Sequence, residues 1–239
     1  MHPAVGEPTP AVRALRKGSW SLLEASSEAA GGPTERWGAA VAGHDGCMVV
    51  ACGLRGGSKF LSDAWSRPLP ASGEGDAPAP RSAGAPTIQS AQSAWGPTPN
   101  DCLPEMPHAA AAIVGGVLVI VGIHGLAYAL TLSRGAPSAG KWRPLALPSG
   151  PGVRSTTGHA AAALGGAVYV FGGVGGPEER VLCDLHRLDA RTGEWRLMPA
   201  GKGRRPAPRS SASMWADPTV GDSGSIFVFG VLHALLRLA

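Results

Sequence analysis

A glycine turn followed by a five-residue apolar run, closed again by glycine, occurs four times in this chain, and it confines the polypeptide to short buried strands joined by tight turns. The third occurrence, Gly165-Gly166-Ala167-Val168-Tyr169-Val170-Phe171-Gly172-Gly173, is the clearest. In register with it stand Asp45-Gly46-Cys47-Met48-Val49-Val50-Ala51-Cys52-Gly53, Gly115-Gly116-Val117-Leu118-Val119-Ile120-Val121-Gly122-Ile123, and Ser223-Gly224-Ser225-Ile226-Phe227-Val228-Phe229-Gly230-Val231. The turn glycines Gly46, Gly116, Gly166 and Gly224 lie 70, 50 and 58 residues apart, a repeat near fifty with loop insertions. Thirty-five glycines and 22 prolines, close to a quarter of the 239 residues, fit a chain that turns this often.

Other segments keep the same register. Small-residue stretches precede the apolar runs, at Ala39-Ala40-Val41-Ala42, at His108 to Val114 and at His159 to Leu164, and side chains this small suit an inner strand crowded around an axis. After the third run, Leu182-Cys183-Asp184-Leu185-His186-Arg187-Leu188-Asp189 alternates apolar and polar residues, with Leu61-Ser62-Asp63-Ala64-Trp65 as its counterpart in the first unit. A tryptophan opens a last short strand at Trp95, Trp142 and Trp195, and Trp20 does so ahead of the first unit. Arg36, Arg154 and Arg209 follow three of these tryptophans by 12–16 residues.

Four strands per unit, a glycine doublet ending the second, an aspartate on the third and a tryptophan on the fourth resemble the kelch repeat of β-propellers. The residues carrying the resemblance are Gly53, Trp95, Gly122, Trp142, Gly172, Gly173, Asp184, Trp195 and Gly230. It implies an all-β fold, a kelch-type β-propeller of four-stranded antiparallel blades, with about three complete blades and parts of others. Residues 1–15 read as a disordered tail, 16–35 as the fourth strand of a preceding blade plus a loop, 36–100 as the first unit, 101–150 as the second, 151–200 as the third, 201–232 as a partial fourth and 233–239 as a tail that leaves the pattern. Within the first unit, 66–94 is rich in Pro, Gly, Ser and Ala without periodicity and reads as a disordered insertion. Since kelch propellers close with more blades than this, the chain reads as part of a longer propeller, or as one that covers its open blade edges by self-association.

Two function classes compete with a binding role. The 26 residues from His108 to Ser133 carry no Asp, Glu, Lys or Arg, so a membrane span near 110–132 is one alternative, although the repeat explains the same residues as strands and a turn. The other is a metal-dependent propeller enzyme or specifier protein. An oxidase resembling galactose oxidase requires tyrosine ligands and a Tyr–Cys partner, whereas Tyr128 and Tyr169, the two tyrosines, lie in or beside apolar runs. The iron site of the kelch specifier proteins is approached by Glu179, Asp184 and His186 at the wrong spacing. No nucleophile elbow, phosphate loop or zinc-binding helix motif is present, so the expectation is no catalysis, no metal and no cofactor.

What remains is binding another protein. A net charge of +4 gives no reason to expect nucleic acid, and no membrane partner is expected. Four cysteines without zinc-ligand spacing and an N-terminus lacking a secretory pattern point to the cytoplasm. In an up-and-down blade the loops from strand two to three and from strand four to the next strand one share one face. The candidate partner-binding residues there are Arg55, Lys59, Arg154, Arg180, Lys202, Arg204, Arg205 and Arg209, with Glu178 and Glu179 among them. The stretch from Arg196 to Arg209 holds five cations and no anion, a basic patch suited to an acidic peptide or a phosphate.

Overall fold

The structure, a computed structural model, describes residues 32–44, 46–68, 95–98, 102–132, 140–146, 153, 155–199, 206–221, 223–230 and 236–238. Each glycine-bounded apolar run forms the second strand of an antiparallel sheet. The first blade comprises β1 (Ala40–His44), β2 (Cys47–Ala51), β5 (Ala64–Pro68) and β6 (Gly96–Pro97), with a small hairpin of β3 (Leu54–Arg55) and β4 (Lys59–Phe60) between its second and third strands. The second is β7 (Ala110–Val114), β8 (Val117–Val121), β9 (Ala127–Thr131) and β10 (Trp142–Ala146). Strand β11 (Ser155–Thr157) leads into the third blade, formed by β12 (Ala160–Leu164), β13 (Ala167–Phe171), β16 (Leu185–Asp189) and β17 (Trp195–Leu197). Between β13 and β16 a second small hairpin, β14 (Val174–Gly175) and β15 (Arg180–Val181), pairs with β11. Strands β18 (Ser213–Asp217), β19 (Ser225–Phe229) and β20 (Leu236–Leu238) make a three-stranded fourth sheet.

Local chemistry sets the hairpins. Val114 pairs with Val117 and Leu164 with Ala167, so Gly115-Gly116 and Gly165-Gly166 are two-residue loops. Both residues of each loop have left-handed φ, 54° and 78° in the first, 56° and 77° in the second, the geometry whose twist matches the flanking strands. The first strands of the four sheets, alanine-rich in the first three, lie innermost, side by side in the order β1, β7, β12, β18.

Alternation along each strand then builds the core between blades. Leu118 and Ile120 on β8, with Ala111 and Ile113 on β7, pack toward Ala40, Val49 and Ala51 of the first blade. Val119 and Val121, with Ala112 and Val114, pack the other way, onto Ala161, Ala163, Val168 and Val170 of the third. Because β8 is covered on both faces, it reads as an unbroken apolar run, and each such residue contributes about 1.5–3 kcal/mol. The same burial explains the span-like stretch near 110–132, which forms three strands of one blade, and among the described residues no helix is long and apolar enough to cross a membrane.

Two boundaries differ from the sequence reading. The tail expected to leave the pattern contains β20, which pairs antiparallel with β19 through Ile226 with Leu238 and Val228 with Leu236, so it occupies the third-strand position. Like β9 of the second blade, it lacks the aspartate that precedes the third strand of blades one and three, Asp63 and Asp184. The insertion begins later than expected, because Ser66 and Arg67 pair with Val49 and Met48 inside the first blade. Residues 69–94 of that insertion, the 1–15 tail and Trp20 lie outside the described residues.

Gly193 shows how a turn can be fixed by the neighbouring blade. Like Gly166 it has a left-handed φ of 77°, but a Cβ there would lie 2.0 Å from the carbonyl oxygen of Leu145 on β10, whereas at Gly166 nothing comes within 4 Å. Gly166→Ala is expected to cost only the backbone penalty, about 1–2 kcal/mol. Gly193→Ala should cost clearly more, because a backbone carbonyl must move. Urea unfolding of the two variants compares strain alone with strain plus clash, and equal losses would mean that the second and third blades do not press together at this point.

Candidate interaction face

The connections that the sequence reading placed on one face do meet there. Trp37, ahead of β1, bridges to Leu54 of the first small hairpin, and β11, ahead of β12, pairs with β14 of the second. Blades one and three thus carry a hairpin each, while the second blade spans the same connection with five residues, Gly122–Leu126, containing a 3-10 turn at Ile123–Gly125.

The buried side of this face is held by arginine. The Arg36 guanidinium grips Asp63 with both ends, at 2.7 Å to Oδ1 and 2.9 Å to Oδ2, and also donates to the carbonyls of Cys52 and Thr34, both at 3.1 Å. The Trp65 indole donates to the same carboxylate at 2.6 Å. Burial pushes the Asp63 carboxyl up, but the Arg36 and Trp65 hydrogen bonds and the Arg36 charge outweigh it and hold the group below the ordinary carboxylate range. Cys52 sits beside this pair, fully buried, with a left-handed φ of 59°. Burial, and next the Asp63 charge, push its thiol up to about 12, so it stays protonated and inert.

Arg209 repeats the arrangement of Arg36. Its Nε donates to the carbonyl two residues earlier, Ala207, at 3.1 Å, and its Nη1 donates to the carbonyl of Gly230, the counterpart of Cys52, at 3.4 Å. It is 3% exposed, so the sequence expectation that it faces a partner is corrected: it ties the segment ahead of β18 to the end of β19. The sequence alone cannot separate a bolt from a patch, because both are arginines in a loop.

Of the other candidates, Arg55 and Lys59 face each other across the first hairpin, and Arg180 lies on the second, in an ion pair with Glu178. They are brought to one face but on different blades. Arg154, Lys202, Arg204 and Arg205 lie outside the described residues. Arg196, the one described member of the basic patch besides Arg209, is exposed and 3.7 Å from Glu194.

The sequence reading missed the apolar part of the face. Trp37, Leu54 and Phe60 are cross-strand neighbours and so project to one side, with Leu54 buried and Trp37 and Phe60 about half exposed. The His108 ring stands edge-on to Trp37, 4.8 Å between centroids. On the other hairpin Val181, at the position equivalent to Phe60, is also exposed. The available signal was a large apolar residue beside a cation within a glycine-flanked loop, Lys59-Phe60 and Arg180-Val181.

Tryptophan ties neighbouring blades together. Trp195 Nε1 donates to the Gly125 carbonyl of the second blade at 2.9 Å, and His159 Nε2 lies 3.0 Å from the Val121 carbonyl. Trp142, at the corresponding place on β10, is buried, and among the described residues its indole nitrogen has no partner.

Two outcomes are expected. The Asp63 contribution should be complete above the ordinary carboxylate value near 3.8 and disappear as pH falls through the lower folded-state value. Asp63→Asn, measured by urea unfolding between pH 7 and 2, should remove that acid-side component and cost about 1–2 kcal/mol at pH 7, modest because the carboxylate is partly solvated. Alkylation of the native protein at pH 8, read by peptide mass, should modify exposed Cys102 and leave Cys52 unmodified until the chain unfolds.

The Kelch motif family model matches residues 155–201, a span that begins at β11 and includes the whole third blade. No curated protein matches the chain. The motif match identifies the third blade as a kelch repeat, and three four-stranded antiparallel sheets with a fourth of three described strands, set side by side through their inner strands, make an all-β array of sheets resembling propeller blades around it.

Proposed function

We propose that the chain is a non-catalytic scaffold that binds another protein through the loop face bearing the two small hairpins. The carrying observation is the repeated pair of an exposed apolar residue beside a cation, Phe60 with Lys59 and Val181 with Arg180, carried on the small hairpins of blades one and three, where the second blade has a five-residue connection instead. Apolar anchors flanked by charge supply contact area and orientation together, the composition expected of a protein-binding patch. A loop face held from below by Arg36 and Arg209 loses little order on binding. Buried cysteines such as Cys47 and Cys52 suit the reducing cytoplasm, which is the proposed location.

The test is quantitative affinity capture from the source cells with the wild-type chain and two paired variants, Lys59→Glu with Phe60→Ser and Arg180→Glu with Val181→Ser. The expected result is one partner protein retained by the wild type and reduced about tenfold or more by each variant, while thermal unfolding stays within a few degrees of the wild type. A retained partner indifferent to both hairpins would overturn the proposal.

A further inference from the structure

The first small hairpin carries a chemistry that the second does not. Its strands pair Leu54 with Phe60 and Arg55 with Lys59, so Gly56, Gly57 and Ser58 form a three-residue loop. Cross-strand partners share a side and successive residues alternate, so Leu54 and Phe60 lie on one side of the hairpin and Arg55 and Lys59 on the other. From Gly46 to Ser62 the chain holds those two cations and no Asp or Glu.

The loop backbone adds donors. Gly56 and Gly57 both have left-handed φ, 58° and 84°, whereas Ser58 does not. Successive N–H groups in such a turn are the backbone arrangement that forms anion-binding nests. Among the described residues, no hydrogen bond engages the N–H groups of Gly56, Gly57 or Ser58. Gly56 through Lys59 are exposed, and the Ser58 hydroxyl is a further donor. Arg55 is half-buried and engaged within the chain, so it supplies positive charge while Lys59, Ser58 and the loop amides supply the donors. The second hairpin is built the other way. Its tip, Gly176-Pro177-Glu178-Glu179, closes a turn from the Glu179 N–H to the Gly176 carbonyl at 3.1 Å, and its cation, Arg180, is in an ion pair with Glu178. The two tips on one face thus differ in charge, and an anion discriminates between them.

We propose that the tip of the first hairpin binds a phosphoryl group carried on a side chain of the partner protein, with an apolar residue of the same segment on Trp37 and Phe60. The inference rests on the scaffold reading above and names the chemistry of what the scaffold holds. A phosphoryl dianion has three acceptor oxygens for the loop amides, the serine hydroxyl and the ammonium together, whereas a carboxylate, with one charge and two oxygens, leaves donors unused. The apolar side of the same hairpin favours a protein segment over inorganic phosphate, which has nothing to place on Trp37 or Phe60. Exposed Glu178 and Glu179 on the neighbouring hairpin disfavour an anionic membrane surface.

The experiment uses the full 239-residue chain, isotopically labelled for amide resonance, and two probes. One is inorganic phosphate; the other is a random-sequence peptide library with one fixed phosphoserine, set against libraries with serine or glutamate at that position. Inorganic phosphate is expected to shift the amide signals of Gly56, Gly57 and Ser58 to saturation and to leave Gly176 and Glu179 unmoved. The phosphoserine library should be retained about tenfold or more above the other two. Lys59→Gln and Ser58→Glu should each remove about tenfold of that retention, and Lys59→Arg should keep it. Thermal unfolding establishes that each variant is folded; were one to unfold, the wild-type titration and library comparison would decide. An unresponsive tip, no preference for phosphoserine, a preference indifferent to Lys59, or binding of vesicles containing phosphatidylinositol phosphates without binding of the phosphoserine library would each overturn the proposal. Phosphatase treatment of the cell extract separates this inference from the scaffold reading. A partner whose capture needs Lys59 and Phe60 but survives phosphatase overturns the phosphoryl proposal and leaves the scaffold in place, whereas a capture indifferent to both hairpins overturns the scaffold reading and this proposal with it.

Discussion

Blade-on-blade packing through the second strand is the contact on which the rest of this structure depends. A single four-stranded sheet has two apolar faces and cannot bury either one alone. In β8 the alternation sends Leu118 and Ile120 to one neighbour and Val119 and Val121 to the other, so the strand is apolar at every position and buried from Leu118 to Val121. The inner strand accommodates this through size. Alanines at 40, 42, 110, 111, 112 and 160 to 163 allow β1, β7 and β12 to approach one another near the axis, which larger residues would prevent.

Polar contacts then fix what the packing leaves free. Arg36 and Arg209 each clamp the segment ahead of an inner strand to the end of a second strand, and Trp195 and His159 join the third blade to backbone carbonyls of the second. Both arginines spend their donors on backbone carbonyls below the loop face, and Arg36 adds the Asp63 carboxylate. The two hairpins themselves are short, with glycine or proline near the tip, presenting a cation and an apolar side chain. The rigid part and the recognising part of the face thus come from different residue positions, although both contain arginine.

The rule that builds the interior acts through the neighbouring blade. Where one is described, the residues facing it are buried, as Ala51, Val121 and Phe171 are. An arginine in a loop likewise takes its meaning from its place in the array. Arg209 is a structural clamp, even though loop position alone marks it as surface.

The sequence by itself determined the local structure and its repetition: the glycine turns, the strands, the alanine-rich inner strand and the tryptophan of the outer one are all set by backbone geometry and residue size within a few positions. It also carried the family resemblance, since the third unit keeps every marker of the repeat. Tertiary structure alone decided which arginines are spent internally, that Trp37 and Phe60 share one side of a hairpin, that Leu236–Leu238 pairs as a third strand, and that left-handed turns ahead of the inner strands fall on His108 and Ser211 as well as on Gly38 and Gly158. Those outcomes depend on contacts between residues tens of positions apart, where burial and hydrogen-bond partners are set by the neighbouring blade and leave no periodic trace in the chain.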